Sequence, residues 1–340
     1  MKLNLLKRII STALIIAMLL TGCAQGTAQT SEPSTNEPVQ KEQKETYTIG
    51  ISQLVEHPAL DASKQGFIDE MKNQGIRVEF LDQVAQGDIA NAKMIAEKFV
   101  KDDVDLIFTI ATLSAQAAKQ AIEGKDIPMV FTAVTDPVFS QLVTDLKITD
   151  NNITGVVDAA PIKENLELFK ELQDDIKTIG IIYNIGESNS EVQVEQTKEI
   201  AEALNLNIET VGITSVNDIP QAVDTISKKA EGLYIITDNM VASAMSLVAK
   251  LAIENGLLTV SADGSHVADG IMVSKGISYY EIGKQSAVIA KEILVDNKAV
   301  SEIPVQASGN LEKKVNVKTA EALGFSKDNK AFQGAEFLEQ

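Results

Sequence analysis

From residue 47 onward the chain alternates short apolar runs with longer stretches whose apolar residues recur every three or four positions. Residues 47–52 have the pattern of a buried strand that ends in a small polar residue. A polar loop, 53–57, follows. Pro58 then opens a helix running to Gly75, with Leu60, Phe67, Ile68 and Met71 on its apolar face. This unit recurs down the chain. In the first half, strands are predicted at 77–81, 105–110, 128–133 and 153–157. Helices are predicted at 88–101, capped by Asp88, and at 112–123. In the second half, helices are predicted at 161–172, 188–204, 217–229 (capped by Asn217) and 240–255, which Gly256 ends. Strands fall at 177–183, 207–211, 233–236 and 257–262. A strand at 271–274, a helix at 279–295 and a run of short strands and a helix to Gly324 complete the pattern, and 325–340 reads as a loose end.

Strands that alternate with amphipathic helices imply an α/β protein with doubly wound parallel sheets. Two comparable sets, split near Asp158, imply two such lobes, and one long doubly wound sheet is the alternative. Ligands of open parallel sheets bind in the crevice outside the carboxyl ends of the strands. The residues just after each strand therefore matter most. In the first half these are Gln53 and His57, Thr112 and Ser114, and Thr135 and Asp136. In the second they are Ser188 and Asn189, Asp238 and Asn239, and Asp263. All are polar, and together they form a candidate ligand-binding set. Ser, Thr, Asn and Asp also belong at helix N-caps, but caps alone do not require Asp136 and Asp263, which have no obvious cation beside them.

The ends of the chain change the picture. Lys2, Lys7 and Arg8 precede an apolar run at 9–20 that is short for a bilayer span. The run ends in Leu20-Thr21-Gly22-Cys23, which resembles the lipobox of a bacterial lipoprotein signal. That resemblance implies a signal peptide at 1–22, cleavage before Cys23 and a membrane anchor of lipid on Cys23. Residues 23–46 hold little to bury and read as a disordered tether. Cys23 is the only cysteine of the 340 residues, so no intrachain disulfide can form.

A formal net charge of −18, with no basic stripe or zinc-finger spacing, argues against nucleic acid as a partner. Catalytic motifs are missing too: no GxGxxG after the first strand, no GxxxxGK[ST] and no GxSxG. His57 and His266 have no ligand partner at useful spacing, so no metal and no cofactor are expected. Beyond the signal segment the one arginine is Arg77, at a strand start away from the cleft. A carboxylate on a ligand would then sit on a helix start such as Thr112-Leu113-Ser114. An ammonium group would suit Asp136, Asp238 or Asp263. A ligand with both groups is an amino acid.

The segments GISQLVEHPALDASKQGF, TIATLSAQAA, VFTAVTDPV, NITGV, IGIIYNIGESNS, ITDNM and VSADGS together resemble the substrate-binding lipoproteins of bacterial ABC importers, in the branch of tryptophan- and other aromatic amino-acid-binding proteins. The resemblance implies a periplasmic-binding-protein fold of type I, two lobes joined by a hinge that closes on the ligand. It implies a first lobe of 47–157 plus about 271–297 and a second of 158–270 plus about 301–324. It also implies that Gln53, His57, Thr112, Ser114, Thr135, Asp136, Ser188, Asn189, Asp238, Asn239 and Asp263 contact the ligand. The expected protein is an extracytoplasmic, lipid-anchored, monomeric receptor, not an enzyme. It passes a small zwitterion, an aromatic amino acid such as tryptophan or phenylalanine, to the permease subunits of an ABC transporter. A branched-chain amino acid or a nucleoside is the alternative ligand, and a lipid-anchored α/β enzyme the remote one.

Overall fold

The computed structural model describes residues 44–147, 151–309 and 311–339. The expected signal peptide, Cys23 and nearly all of the expected tether lie outside the described residues.

In the first half, strands β1 (Tyr47–Gln53), β2 (Val78–Val84), β3 (Leu106–Ile110), β4 (Met129–Val134) and β5 (Ile153–Val157) alternate with helices α1 (Pro58–Asn73), α2 (Ile89–Lys101) and α3 (Thr112–Ala121). The second half runs α4 (Ile162–Leu172), β6 (Thr178–Asn184), α5 (Ser188–Ala203), β7 (Asn207–Ile213), α6 (Ile219–Ser227), β8 (Gly232–Ile235), α7 (Asn239–Ala242), α8 (Met245–Glu254) and β9 (Leu258–Asp263). Then follow β10 (Val273–Ile277), α9 (Tyr279–Leu294), β11 (Gln306–Ala307), β12 (Leu311–Asn316), α10 (Val317–Ala322) and β13 (Glu336–Leu338). The described residues form two sheets, ordered β11-β5-β4-β3-β1-β2 and β13-β12-β10-β9-β8-β6-β7. Neighbouring strands are parallel except β10 and β12. The apolar runs of β3, β4 and β5 are buried at every position, because helices cover both faces of a parallel sheet. Phe67 of α1 stacks on Phe108 of β3 at 3.8 Å between ring centroids in the first core. Phe169 and Tyr234 fill the second.

Among the described residues the chain passes between the two halves three times: after β5, between β10 and α9, and between β11 and β12. Here the structure departs from the expected boundaries. Residues 271–297 do not return to the first lobe as a piece, since β10 stays in the second sheet, paired through Val273 to Val260 and Val315. Only α9 returns, and it lies against α1. Likewise β11 joins the first sheet beside β5 before the chain leaves for β12. An apolar strand buried on both faces carries no mark of which sheet accepts it.

Other differences are local. The helix expected over 240–255 is two, α7 and α8, and the side chain of Asp238 caps α7 through the N–H of Val241. Ser215, not Asn217, caps the turn before α6, in a capping box with Asp218. The end of the chain is not loose. Phe332 is 1% exposed in the second core, and β13 pairs with β12. Two aromatic residues amid polar ones, Phe325 and Phe332, hold it down.

α1 and α9 meet backbone to backbone at two glycines. A β-carbon on Gly283 would lie 1.9 Å from the carbonyl oxygen of Ser63, and one on Gly66 would lie 2.1 Å from that of Tyr280. The atoms met are main chain, so the helices would have to part. Gly283→Ala is expected to cost about 1–3 kcal/mol or more, the usual range for overpacking. A thermal melt checks this, and an unchanged midpoint would mean that the helices separate freely.

Candidate functional site

A small cavity lies between the carboxyl ends of the two sheets. Its first wall carries His57, Ala59 and Leu60 from the start of α1, and Ala133 and Thr135 from the end of β4. The other wall carries Asn189, Thr237, Asp238, Asn239 and Ala242, then Asp263 and His266. Asp158 and Tyr279 stand where the chain crosses between the halves.

The two walls touch. His57 Nε2 lies 3.3 Å from Asn239 Oδ1, and the hydroxyls of Thr135 and Thr237 are 3.3 Å apart. The rings of His57 and His266 face each other with centroids 6.0 Å apart. His57 reaches the cleft because it precedes Pro58 in an extended conformation and its side chain makes no capping bond. Asn239 is oriented by Glu187, whose carboxylate accepts its side-chain N–H at 2.5 Å and its main-chain N–H at 3.1 Å. With Nδ2 so engaged, the Asn239 oxygen is what meets His57, and His57 Nε2 must carry the proton.

Charge in the cleft is arranged by burial. Asp238 accepts from Asn184 N, Ser190 Oγ and Val241 N at 2.6–2.8 Å. Burial, then the nearby Glu187 carboxylate, pushes its carboxyl up to about 7. Asp263 lies 3.0 Å from His266 Nε2 and accepts the N–H of Ser265. Burial would raise Asp263, but the imidazolium overcomes it and holds the carboxyl at about 2. The same pairing outweighs the burial of His266 and lifts it to about 9. Asp263 therefore does have a cation beside it, three residues on, where a single 3₁₀ turn folds His266 back.

The expected ligand contacts divide into groups. His57, Thr135, Asn189, Asp238, Asn239 and Asp263 line the cavity. Gln53 lies outside the lining and its amide donates to Val55 O and to Asp61. Asp136 is also outside, and accepts the N–H groups of Val138 and Phe139 as a turn cap. Ser188 is outside too. Thr112 and Ser114 are buried in the first turn of α3, behind the lining, and their hydroxyls have no hydrogen-bond partner among the described residues. Reasoning from strand ends passed over Asp158, Tyr279 and Glu187. Asp158 follows a strand by one residue, a signal within reach. Tyr279 begins a helix and Glu187 precedes one, and nothing local marks either.

A family model described as ABC transporter substrate binding protein matches residues 48–336. The chain belongs to this family. It is 38% identical over 330 residues, 95% of this chain and 93% of the relative, to the tyrosine-binding protein of Clostridioides difficile. A solved structure from Streptococcus pneumonia, in complex with L-Trp, shares 30% identity and a TM-score of 0.80 over 85% of this chain and 99% of that one. A ligand-free, open structure of a substrate binding protein with adhesive properties from Clostridium difficile shares 38% identity over 86% and 99% of the two chains, at a TM-score of 0.67. The substrate-binding protein is an extracytoplasmic receptor whose partners are a small molecule and an ABC permease. It is not an enzyme. Its likeness to the more distant, ligand-bound relative exceeds that to the open one, as expected when the lobes of this chain are drawn together.

Closure is linked to protons at His57. Burial and the facing His266 imidazolium lower His57 from 6.5 to about 4. If parting the lobes returns the ring to water, it escapes both effects. A base whose pKa falls on closing supports the closed state fully above about 6.5, and that support is lost as pH falls toward about 4. Ligand affinity should therefore fall on acidification by at most about tenfold per pH unit through this window. His57→Gln should flatten that slope. Asp61 faces the ring from α1, and Asp263 and His266 from the other wall; the latter two keep their charges throughout, at about 2 and about 9. Asp238, at about 7, does titrate, so the quantity to read is wild type against variant by calorimetry. Parallel slopes would reject the linkage.

Proposed function

We propose that this substrate-binding protein is the receptor for an aromatic amino acid, held between the lobes and passed to its permease. The reading is carried by 38% identity across 95% of the chain to a tyrosine-binding protein. The L-Trp complex of a second relative supports it. So does the chemistry of the cavity, where Ala59, Leu60, Ala133 and Ala242 offer an apolar surface to a ring while carboxylates and amides crowd the other parts. His57, Thr135, Asn189, Asp238, Asn239 and Asp263 are the proposed contacts among the residues singled out in the sequence. For the ligand carboxylate we keep the first turn of α3, where the buried Thr112 and Ser114 hydroxyls lack partners. Ala111 before it is held at φ 81°, ψ 156°, a region ordinarily open to glycine alone. Strain of this kind at a helix start supports a binding role.

Calorimetry and thermal melts with L-tyrosine, L-phenylalanine, L-tryptophan, L-leucine and a nucleoside test the ligand class. An aromatic amino acid at about 100 times its dissociation constant should add about 2.7 kcal/mol of stability. Stabilisation by leucine or the nucleoside but by no aromatic amino acid would overturn the proposal in favour of those ligands. Scattering from the same samples should show a smaller radius of gyration with ligand if binding selects the closed lobes.

The protein is further proposed to act as a monomer, tethered to the membrane by lipid on Cys23. The motif Leu20-Thr21-Gly22-Cys23 at the end of an apolar run supports the anchor, and more than one acyl chain makes such an anchor lasting. Cys23→Ala should release the protein from the membrane fraction or leave the signal uncut. Processing and fractionation like the wild type would refute the anchor.

A further inference from the structure

The acids of the cleft differ in what their oxygens already hold. Asp238 accepts three hydrogen bonds from the protein. Asp263 is paired with the His266 imidazolium and accepts Ser265 N–H. Asp136 caps a turn away from the cavity. None of these three, the acids that the sequence points to first, has an oxygen in need of a further cation.

Asp158 does. It is 3% exposed and lines the cavity. Its Oδ2 accepts the Tyr279 hydroxyl at 2.7 Å, whereas its Oδ1 is buried with no donor among the described residues. Burial raises its carboxyl above the ordinary range, and the Tyr279 hydrogen bond and the nearby Thr135 hydroxyl, which makes no hydrogen bond to Oδ1, offset this only in part. Buried carboxylate oxygens are rarely left without donors, and each such case calls for an explanation. The position supplies one. Asp158 directly follows β5, on the first connection between the lobes, with its N–H bonded to Val134 O at 3.3 Å. Tyr279 opens α9, just past the second connection. The hydrogen bond between them thus joins two of the hinge segments, and a cation added to Oδ1 completes the pair where both segments meet the cavity.

We infer that Asp158, set in place by Tyr279, is the anchor for the ligand's ammonium group. The inference rests on the amino-acid reading above and adds where the amine is read. An ammonium brings three N–H donors and a full positive charge, which match an ionised carboxylate of the cavity lining that has one oxygen held by Tyr279 and the other without a donor. Tyr279 acts as a positioning residue. It fixes the rotamer of Asp158 and lowers the cost of keeping it charged. Because the anchor sits on the hinge, it is shared by the open and closed arrangements. The ligand would dock there first, and the walls would then close around its side chain.

The test is calorimetry on the mature domain with L-phenylalanine, L-tyrosine and 3-phenylpropanoate, which is phenylalanine without its amine. The wild type should prefer the amino acid. Asp158→Asn keeps shape and an acceptor for Tyr279 but removes the charge. It should weaken binding of the amino acids about 10- to 150-fold, the range of a charge-assisted hydrogen bond. Binding of 3-phenylpropanoate should change by less than about threefold, so the preference for the amine collapses. If Asp158→Asn does not fold, Tyr279→Phe takes its place, with a selective loss for the amine-bearing ligands of roughly three- to tenfold expected, smaller because the charge of Asp158 remains. An amino-acid preference that survives in the folded variant, or an equal loss for both ligand types, overturns the role of Asp158 while leaving the amino-acid reading intact. A wild type that binds no amino acid overturns that reading, and this inference with it.

Discussion

Four carboxylates, those of Asp158, Glu187, Asp238 and Asp263, lie at or behind the cleft with at most 3% of their surfaces exposed. Taking an ionised carboxylate out of water costs several kcal/mol unless donors replace the lost hydration. Much of the local structure answers this demand. Glu187 gathers the side-chain amides of Asn184, Asn189 and Asn239 and the N–H groups of Asn239 and Met240. It thereby ties the start of α5 to the start of α7 and determines which atom of Asn239 meets His57. Asp238 draws in β6 through Asn184 N and α5 through Ser190. Asp263 recruits His266. These acids tie the second wall together, and the contacts it presents to the first wall follow from those ties.

The first wall is held differently. Its cleft end is mainly apolar, backed by the packing of α1 on α9 through Gly66 and Gly283. Since α9 begins at Tyr279, this packing sets where one hinge segment ends and where the His57 end of α1 stands. Movement between the lobes is then confined to short connections between two well-packed bodies, as in hinge closure generally. The hydrogen bonds across the cleft, His57 to Asn239 and Thr135 to Thr237, are polar contacts of a kind that water can replace. A ligand that binds the closed arrangement more tightly than the open one would shift the balance toward closure.

Much of this was legible in the sequence. The doubly wound pattern, the two lobes and the placement of polar residues after strands follow from periodicity, because a strand buried on both faces and an amphipathic helix leave distinct marks. The cap at Asp88 and the opening of α1 at Pro58 are local and readable in the same way. The sequence also singled out Asn189, Asn239 and Thr135, which line the cleft, because strand-end positions in a parallel sheet share one side.

Tertiary structure alone decided the rest. Gln53 and Asp136 follow strands just as His57 and Asn239 do, yet they turn to local partners, and spacing along the chain does not say which way a side chain turns. The sheet that receives β10 or β11, and the burial of Phe332, depend on neighbours far away in sequence. Asp263 looked unpaired until a 3₁₀ turn brought His266 to 3.0 Å. Asp158 and Tyr279 are 121 residues apart and meet only because the chain crosses the hinge at both places. Electrostatics in a cleft depends on distance and burial, which sequence reports only for near neighbours. The kind of site could therefore be read from the chain, while the use made of each charge within it came from the fold.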